Sequence, residues 1–318
     1  MHPVVLLISQ RLTIGMLLLF AVSILIFVGT EMLPGDVAQA ILGQAATPQA
    51  VANLRLEMGL NEPALSRYLS WLWGILHGDL GTSLTTQKDI ATAISGRLYN
   101  TLFLAFWAAI IAVPLAIGLG LIAVRYCDRW PDKLISGVTL ATISLPEFVI
   151  GYILTYLLTV KLQLFSPVSL MFDGMSLAQK LNTIALPVMV LVMVVLAHMM
   201  RMTRAAILNV MESAYIETAV LKGMSPLAVI TKHAVPNAIA PVVNVVMLNL
   251  AYLVVGVVVV EVVFVYPGMG QYLVDHVSKR DVPVVQACGL VFAAVYIGVN
   301  IIADVISILA NPKLRHPK

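Results

Sequence analysis

The chain has 318 residues, of which 60% are hydrophobic and 11% are charged, and its mean hydropathy is +0.96. A typical soluble domain has about 45–50% apolar and about 25% charged residues. This composition therefore excludes a disordered chain, a fibrous protein and an ordinary soluble enzyme. The net charge of +3 is too small to indicate nucleic-acid binding. The composition predicts an all-α, polytopic membrane protein, built from spans of about 20 apolar residues.

Six apolar stretches are long enough to cross a bilayer, and we predict one transmembrane helix for each. They cover residues 12–31, 100–124, 134–160, 183–202, 238–265 and 284–309. The first stretch is too long for the apolar part of a signal peptide. It is followed by LPGD (33–36) rather than by a small-residue cleavage site, so we predict a retained helix.

The orientation of the spans is predicted from the lysines and arginines of the short loops. One set of segments is rich in them: Arg11, Arg125, Arg129, Lys133, Arg201, Arg204, Lys222, Lys232, Lys313, Arg315 and Lys318. The opposite short loops hold only Lys161, Lys180, Lys279 and Arg280. The richer set is predicted to be cytoplasmic, which places both termini inside.

The long loop 32–99 after the first span is predicted to lie on the outer face of the membrane. Thr47 followed by Pro48 is typical of a helix start. Residues 66–76 form a second amphipathic helix, and 88–97 a third that leads into the second span. The HGDLGTS run between them predicts turns, and the loop has no catalytic constellation.

The segment 201–241 predicts a helix–turn–helix beneath the membrane. The helical pattern of the fourth span continues through 202–222 and is expected to end at Gly223. Ser225 and Pro226 are typical of the cap and first residue of a second helix. That helix is predicted to run to about residue 235 and to end at Pro236.

Glu217 in this segment has no basic residue four positions further on, because Leu221 stands there. A short helix with an apolar stripe and a free carboxylate is suited to a groove of another protein. From spacing alone, an ordinary solvated cytoplasmic loop is equally compatible with the pattern.

The same segment resembles the EAA loop of ABC importer permeases. The family pattern is E-A-A, three residues, G, nine residues and I-x-L-P. The chain has E-T-A at 217–219, Gly223 and Pro236, with threonine, histidine and valine replacing the first alanine, the isoleucine and the leucine. These departures are mild, and the glycine and the proline fit.

Further motifs narrow the resemblance to the dipeptide, oligopeptide and nickel group of binding-protein-dependent importers. The first permease of that group's heterodimeric pair carries a long outer loop after its first helix, as here. The matching runs are LPGD (33–36), EMGLNEP (57–63), GDLGTS (78–83), RLYNTL (97–102), SLPEFVIG (144–151), TRAAILNVM (203–211), EVVFVYPGMGQYL (261–273) and RDVPVVQ (280–286). The resemblance covers nearly the whole chain.

The resemblance implies a type I importer permease fold in a bacterial inner membrane. Residues 1–318 would form a single transmembrane domain, with 32–99 as the periplasmic loop and 203–237 as the cytoplasmic coupling loop. Its implied partners are a second, homologous permease, two cytoplasmic ABC ATPases, a periplasmic substrate-binding protein and the lipid bilayer. The implied contacts with the ATPase involve Tyr215, Glu217, Thr218, Ala219, Lys222, Gly223 and Pro236.

The chain has no G-x-x-x-x-G-K-[ST] motif. We therefore predict a non-catalytic subunit, with ATP and Mg²⁺ bound by the partner ATPases and no cofactor or metal bound by this chain. Within this group the substrate is open: dipeptides, oligopeptides, nickel chelates, glutathione and opines all remain candidates, because selectivity resides mostly in the binding protein.

Glu147 lies near the middle of the third predicted span, directly after Pro146. A carboxylate at mid-bilayer costs about 2.5–3.5 kcal/mol on insertion scales and normally faces a bundle interior or water. Glu147 is therefore predicted either to face the translocation pathway or to pair with a neighbouring helix. On the pathway it could attract a peptide amino terminus or a metal cation. Pro146 is expected to kink the helix.

Glu261 is predicted near the outer surface. One interpretation is an interfacial carboxylate paired with Lys279 or Arg280, and the other is an outer gate or a docking face for the binding protein. Pro267, Gly268 and Gly270 follow it in a turn suited to a re-entrant loop near the pore mouth, similar to the family's periplasmic gate region.

Asp304 is predicted near the cytoplasmic end of the sixth span, paired with a basic residue. The competing functional class is a secondary transporter or channel that acts without ATPase partners. It would require internal repeats, and none is visible.

Overall fold

The computed structural model describes residues 3–32, 37–57, 59–172 and 174–310. The predicted LPGD motif and the basic residues Lys313, Arg315 and Lys318 lie outside the described residues. Within those ranges the fold is helical, and the extended pairing is limited to one isolated bridge between Thr82 and Asp89. The described helices are α1 (Pro3–Glu31), α2 (Val37–Leu42), α3 (Pro48–Glu57), α4 (Ala64–Leu76), α5 (Ile90–Arg125), α6 (Trp130–Ile143), α7 (Glu147–Thr155), α8 (Leu177–Thr183), α9 (Ala185–Met211), α10 (Ala214–Leu221), α11 (Pro226–Val229), α12 (Val235–Val263), α13 (Met269–Ser278) and α14 (Val282–Ala310).

The predicted all-α, multi-span class is confirmed. Five helical stretches are long and apolar enough to cross a membrane: Leu6–Glu31, Ile90–Arg125, Ala185–Met211, Pro226–Val263 and Val282–Ile306. A sixth candidate is a bent pair, Trp130–Ile143 followed by Glu147–Lys161, whose two halves meet at 103°. The spans number six if this pair counts as one.

The third span is not the single kinked helix that the sequence predicts. α6 ends at Ile143, and Pro146 has an extended backbone with ψ of 143° at the start of α7. Proline has no N–H to donate, and it disfavours helical geometry in the residue before it. The Pro146 carbonyl instead accepts the first hydrogen bond of the next helix, from the Val149 amide at 3.0 Å. Glu147 therefore begins α7 rather than lying within a continuous helix.

The outer loop follows the prediction except at its end. The Thr47 hydroxyl accepts a hydrogen bond from the Ala50 amide, which confirms the predicted start of α3. The predicted third helix over 88–97 is wrong as a separate element, because it forms the first turns of α5. Asp89 caps that helix by accepting from the Thr92 amide at 2.7 Å, and no break follows.

Helix α4 is fastened to α1. Arg67 donates two hydrogen bonds to the Glu31 carboxylate, at 2.9 and 2.6 Å. Ser23 and Tyr68 share a buried hydrogen bond of 2.9 Å, and Phe27 packs edge-on against the Tyr68 ring. These contacts hold the outer loop against the end of the first span.

The centre of the bundle is the packing of α5 against α9. The buried face of α5 is a row of small residues that includes Ala108, Ala112, Ala116 and Gly120. Small residues allow two helix backbones to approach closely in a membrane. A Cβ at Gly120 would lie 3.1 Å from the Thr203 methyl group on α9, so the two helices approach closely at this glycine.

Ion pairs join α1 to α14 and α6 to α9. Arg11 on α1 lies 3.2 Å from Asp304 on α14, which confirms the predicted basic partner of Asp304. Arg204 on α9 donates to both oxygens of the buried Asp132 on α6, at 2.8 and 2.6 Å. Such bidentate pairing satisfies a carboxylate that would be costly to bury alone.

Candidate functional site

The segment 201–241 contains a break that the sequence did not predict. α9 ends at Met211, and α10 begins at Ala214 after the extended Ser213, which has ψ of 143°. The continuous helix predicted over 202–222 is therefore wrong. Serine is favoured at the position before a helix, because its side chain can form hydrogen bonds with nearby backbone groups that compete with those of a continuing helix. The break gives α10 a direction independent of the span that precedes it.

Gly223 ends α10 as predicted. Its φ of +80° lies in the left-handed region that glycine adopts without strain. The Gly223 amide donates to the Val220 carbonyl, and the Met224 amide to the Ala219 carbonyl, at 2.9 and 3.3 Å. These two bonds form a Schellman motif, which satisfies the last carbonyls of a helix.

The second helix starts as predicted but does not end at Pro236. The Ser225 hydroxyl accepts from the Ala228 amide at 3.3 Å, and Pro226 is the first residue of α11. A π-helical turn over Ile230–Ala234 then leads directly into α12. Pro236 lies in the first turn of α12, where an amide donor is not needed. The segment Pro226–Val263 is thus one candidate span.

The helix–turn–helix has one packed face and one open face. Ile216 and Ala219 are buried in a cluster with Val124 and Ile207 from the membrane helices. The open face carries large apolar side chains together with the Glu217 carboxylate, which makes no hydrogen bond or ion pair with any described residue. The exposed apolar residues are Tyr215, Val220, Leu221 and Leu227. An apolar face with one free carboxylate, presented on an anchored helix, has the character of a protein-docking surface.

A cavity of about 430 Å³ lies where the bent pair α6–α7 meets α9 and α12. Its walls are mostly aliphatic, and its polar groups are few. The lining residues are Thr142, Ile143, Leu145, Pro146, Glu147, Val194, Val195, His198, Leu248, Asn249 and Tyr252. Pro146 and Glu147, which the sequence singled out, thus line a cavity within the membrane helices.

Glu147 has one satisfied and one unsatisfied oxygen. The Tyr252 hydroxyl on α12 donates to Glu147 Oε1 at 2.8 Å. Glu147 Oε2 is buried and accepts no hydrogen bond from the described residues. The predicted pairing with a neighbouring helix is therefore confirmed for one oxygen. The carboxylate also lines a cavity, and its place on the translocation pathway stays a prediction.

At the outer end, Glu261 is fully buried. Its carboxylate accepts from the Thr101 hydroxyl at 2.6 Å and from the Gly270 and Gln271 amides at 2.7 and 3.1 Å. The predicted pairing with Lys279 or Arg280 is wrong. The chain reverses after Pro267, so the amino terminus of α13 rather than its far end meets the carboxylate. Glu261 therefore satisfies the free amides of a helix start.

The turn between α12 and α13 is held by backbone contacts to α5. The Tyr266 hydroxyl donates to the Asn100 carbonyl at 2.8 Å, and the Asn100 amide group donates to the Pro267 carbonyl at 2.9 Å. A Cβ at Gly268 would overlap the Glu261 carboxylate, and one at Gly270 would lie 2.7 Å from the Val258 Cα. Only glycine fits at these two positions, because any side chain would collide with the Glu261 carboxylate or with the α12 backbone.

A second buried carboxylate joins the outer loop to the last span. Asp281 accepts from the Ser83 and Thr85 hydroxyls at 2.6 and 2.8 Å, and from the Leu84 and Thr85 amides at 3.1 and 3.2 Å. Burial alone would raise its pKa, but these hydrogen bonds outweigh burial and hold the pKa below its usual range. The sequence contains GDLGTS (78–83) and RDVPVVQ (280–286) as separate motifs, and neither motif indicates that the two segments meet.

Three potential metal ligands, Cys127, Asp128 and Asp132, lie close together after the carboxyl end of α5. Both oxygens of Asp132 already accept from Arg204. The group is therefore explained by the ion pair that joins α6 to α9.

The comparisons with known proteins agree with this arrangement. Residues 116–316 match the family of the binding-protein-dependent transport system inner membrane component, and residues 4–105 match the amino-terminal family of the same system's membrane component. The chain is 36% identical over 298 residues to the glutathione transport system permease protein GsiC of Escherichia coli O6:H1, covering 94% of this chain and 95% of that protein. It is 33% identical over 310 residues to a putative peptide transport system permease protein of Brucella abortus strain 2308, covering 98% and 99%.

The fold and these matches define an inner-membrane permease, multi-pass and non-catalytic. The chain belongs to the permease family of binding-protein-dependent ABC importers, within its peptide and oligopeptide group. ATP hydrolysis in such systems belongs to partner ATPases, and a substrate-binding protein is a further partner.

Replacing Gly268 with alanine should disorganise the outer turn. The new methyl group would displace the Glu261 carboxylate from the α13 amides, so we expect a loss of about 1–3 kcal/mol in the free energy of unfolding. The measurement is thermal unfolding of the purified importer. Gly29→Ala on α1 is the matched control, since no atom lies within 4 Å of its added Cβ. Equal melting temperatures for the two variants would contradict the close approach.

Replacing Asp281 with asparagine should loosen the loop 83–85. Hydrogen bonds to a charged group contribute about 1.5–3 kcal/mol, so we expect the Leu84 and Thr85 amides to exchange hydrogen at least about tenfold faster. Because the folded pKa of Asp281 is lowered, its stabilisation is present above the ordinary aspartate pKa of about 3.9 and is lost as the pH falls through the lower folded value. Asp275→Asn, at an exposed carboxylate, is the control and should leave the exchange unchanged. Unchanged amide exchange in Asp281→Asn would contradict the role of Asp281 in holding the loop 83–85.

Proposed function

We propose that this chain forms half of the translocation pathway of an ATP-driven importer for peptides or related small solutes. The observation that carries the proposal is the open face of α10 and α11, which presents exposed apolar residues and the unpaired Glu217 below the helical bundle. The named relatives, one for glutathione and one for peptides, support solutes built from amino acids. The other half of the pathway is a second, homologous permease, and two ABC ATPases dock below.

The coupling contact with an ATPase uses Tyr215, Glu217, Thr218 and Lys222, which are exposed. Ala219 is buried and anchors the helix, and Gly223 shapes its end. The ATPase would accept the exposed apolar residues in a cleft. ATP-driven closure then moves α10, and α11 transmits the movement to α12, which it joins through the π-helical turn before Pro236. Neither ATP nor Mg²⁺ would be held by this chain.

The pathway is proposed to run along the cavity lined by Glu147. The outer end, built from Glu261, Pro267, Gly268 and Gly270, forms the gate region on the side of the substrate-binding protein. In this orientation Arg11, Arg204 and Lys222 lie in the cytoplasm together with both termini, because basic residues concentrate on that side.

Uptake by the reconstituted importer tests this function. Proteoliposomes with the second permease, the ATPases and the binding protein should accumulate a labelled di- or tripeptide only when ATP and the binding protein are both present. Uptake by this chain alone, without ATPase subunits, would instead identify a secondary transporter or channel. Mass spectrometry of the solute that co-purifies with the binding protein would identify the substrate.

Replacing Gly223 with valine should uncouple ATP hydrolysis from uptake. A β-branched residue in the left-handed region costs about 1–3 kcal/mol, and the loop would have to change its direction. We expect normal membrane insertion, a loss of uptake and ATPase activity that no longer responds to the loaded binding protein. Gly223→Asn is the control, because asparagine tolerates this backbone geometry and should retain coupling. Normal uptake by the valine variant would count against the assigned loop.

A further inference from the structure

Glu147, in the lining of the cavity between the bent pair and α12, has one buried carboxylate oxygen without a donor. The Tyr252 hydroxyl donates a hydrogen bond to Glu147 Oε1, whereas Glu147 Oε2 accepts none from the described residues. A buried polar atom without a partner is costly, so it normally has an unseen partner or a function. The cavity into which it is built holds about 430 Å³, within the range of small-molecule sites.

The charge of the cavity favours a cationic ligand. Its lining contains no lysine or arginine, and Glu147 is its one acidic residue. The remaining walls are largely aliphatic, with Val194, Val195 and Leu248 among them. A single carboxylate in such surroundings attracts a positive group and repels a negative one.

A bare metal ion fits this cavity poorly. Binding a divalent transition metal within a protein takes about three or four ligands. The lining offers only Glu147 and His198 as side chains of that kind, and the described cluster of three ligand groups lies elsewhere, at Cys127. An ammonium group needs fewer partners, and its attached aliphatic chain can contact the apolar walls.

We propose that Glu147 and Tyr252 form a transient subsite for the ammonium group of an amino-acid-derived solute in transit. The inference rests on the proposed function, because the solute must enter this cavity. Tyr252 fixes one carboxylate oxygen through its hydroxyl, which leaves Oε2 to accept from the ammonium group. The subsite distinguishes solutes by their charge after release from the binding protein.

Equilibrium binding to the assembled importer in nanodiscs, without the binding protein, tests the subsite. The probes are radiolabelled trialanine and its N-acetyl derivative, which differ in the ammonium group. Glu147→Gln keeps the shape and the acceptor for Tyr252 but removes the charge. We expect it to weaken trialanine binding at least about tenfold and to leave the weak binding of the acetylated probe unchanged. Asp275→Asn removes an exposed carboxylate outside this lining; it is the control and should leave both affinities unchanged.

Four results would overturn the subsite. The first two are equal binding of the two probes to the unmodified importer, and equal trialanine binding by the unmodified importer and Glu147→Gln. The other two are binding of Ni²⁺ but not of trialanine that depends on Glu147, and undetectable trialanine binding at millimolar concentration. None of these binding results contradicts the proposed function if the unmodified importer takes up peptide in an ATP-dependent way. Absence of such uptake by the unmodified importer would contradict the proposed function itself.

Discussion

Buried carboxylates with complete sets of hydrogen-bond donors hold the ends of this bundle in place. In a membrane the helices gain little from burying apolar surface, because lipid is as apolar as their side chains. Close packing of small residues joins α5 to α9, but it does not position the segments outside the bilayer. Glu261 positions α13, Asp281 positions the outer loop, and Asp132 joins α6 to α9. Each replaces the water that its charge has lost with donors from a distant part of the chain.

Glu147 differs from these three carboxylates, because one of its oxygens accepts no hydrogen bond from the described residues. The other three carboxylates accept three or four hydrogen bonds each, and they are all buried. Glu147 accepts one, at the point where Pro146 breaks the third span and opens the cavity. The chain satisfies its three fully buried acids this completely, whereas the half-buried Glu147 keeps one unsatisfied oxygen in the lining of the cavity. Such exceptions are expected at functional sites.

Hydropathy and helix-end signals predicted most of the fold. The apolar runs found the membrane-spanning helices, and Thr47, Ser225 and Gly223 marked ends that the backbone confirms. The failures have two causes. Ser213, Pro146 and Pro236 are residues at which a helix can break, kink or continue, and local propensity does not decide among these outcomes. The partners of Glu261 and Asp281 were missed because they lie in distant parts of the chain, on α5 and α13 and in the loop 83–85.

The passage through Pro236 matters most for how the parts act together. A helix that ended there would have separated α11 from the helix that lines the cavity. Instead α11, the π-helical turn and α12 form one candidate span, Pro226–Val263. From Val235 to Glu261 the helix rises about 40 Å at 1.5 Å per residue. That one element carries Tyr252 in the cavity and Glu261 at the outer turn. A tilt imposed on its inner end therefore displaces the cavity wall and the outer turn together, because a packed helix moves as a rigid body.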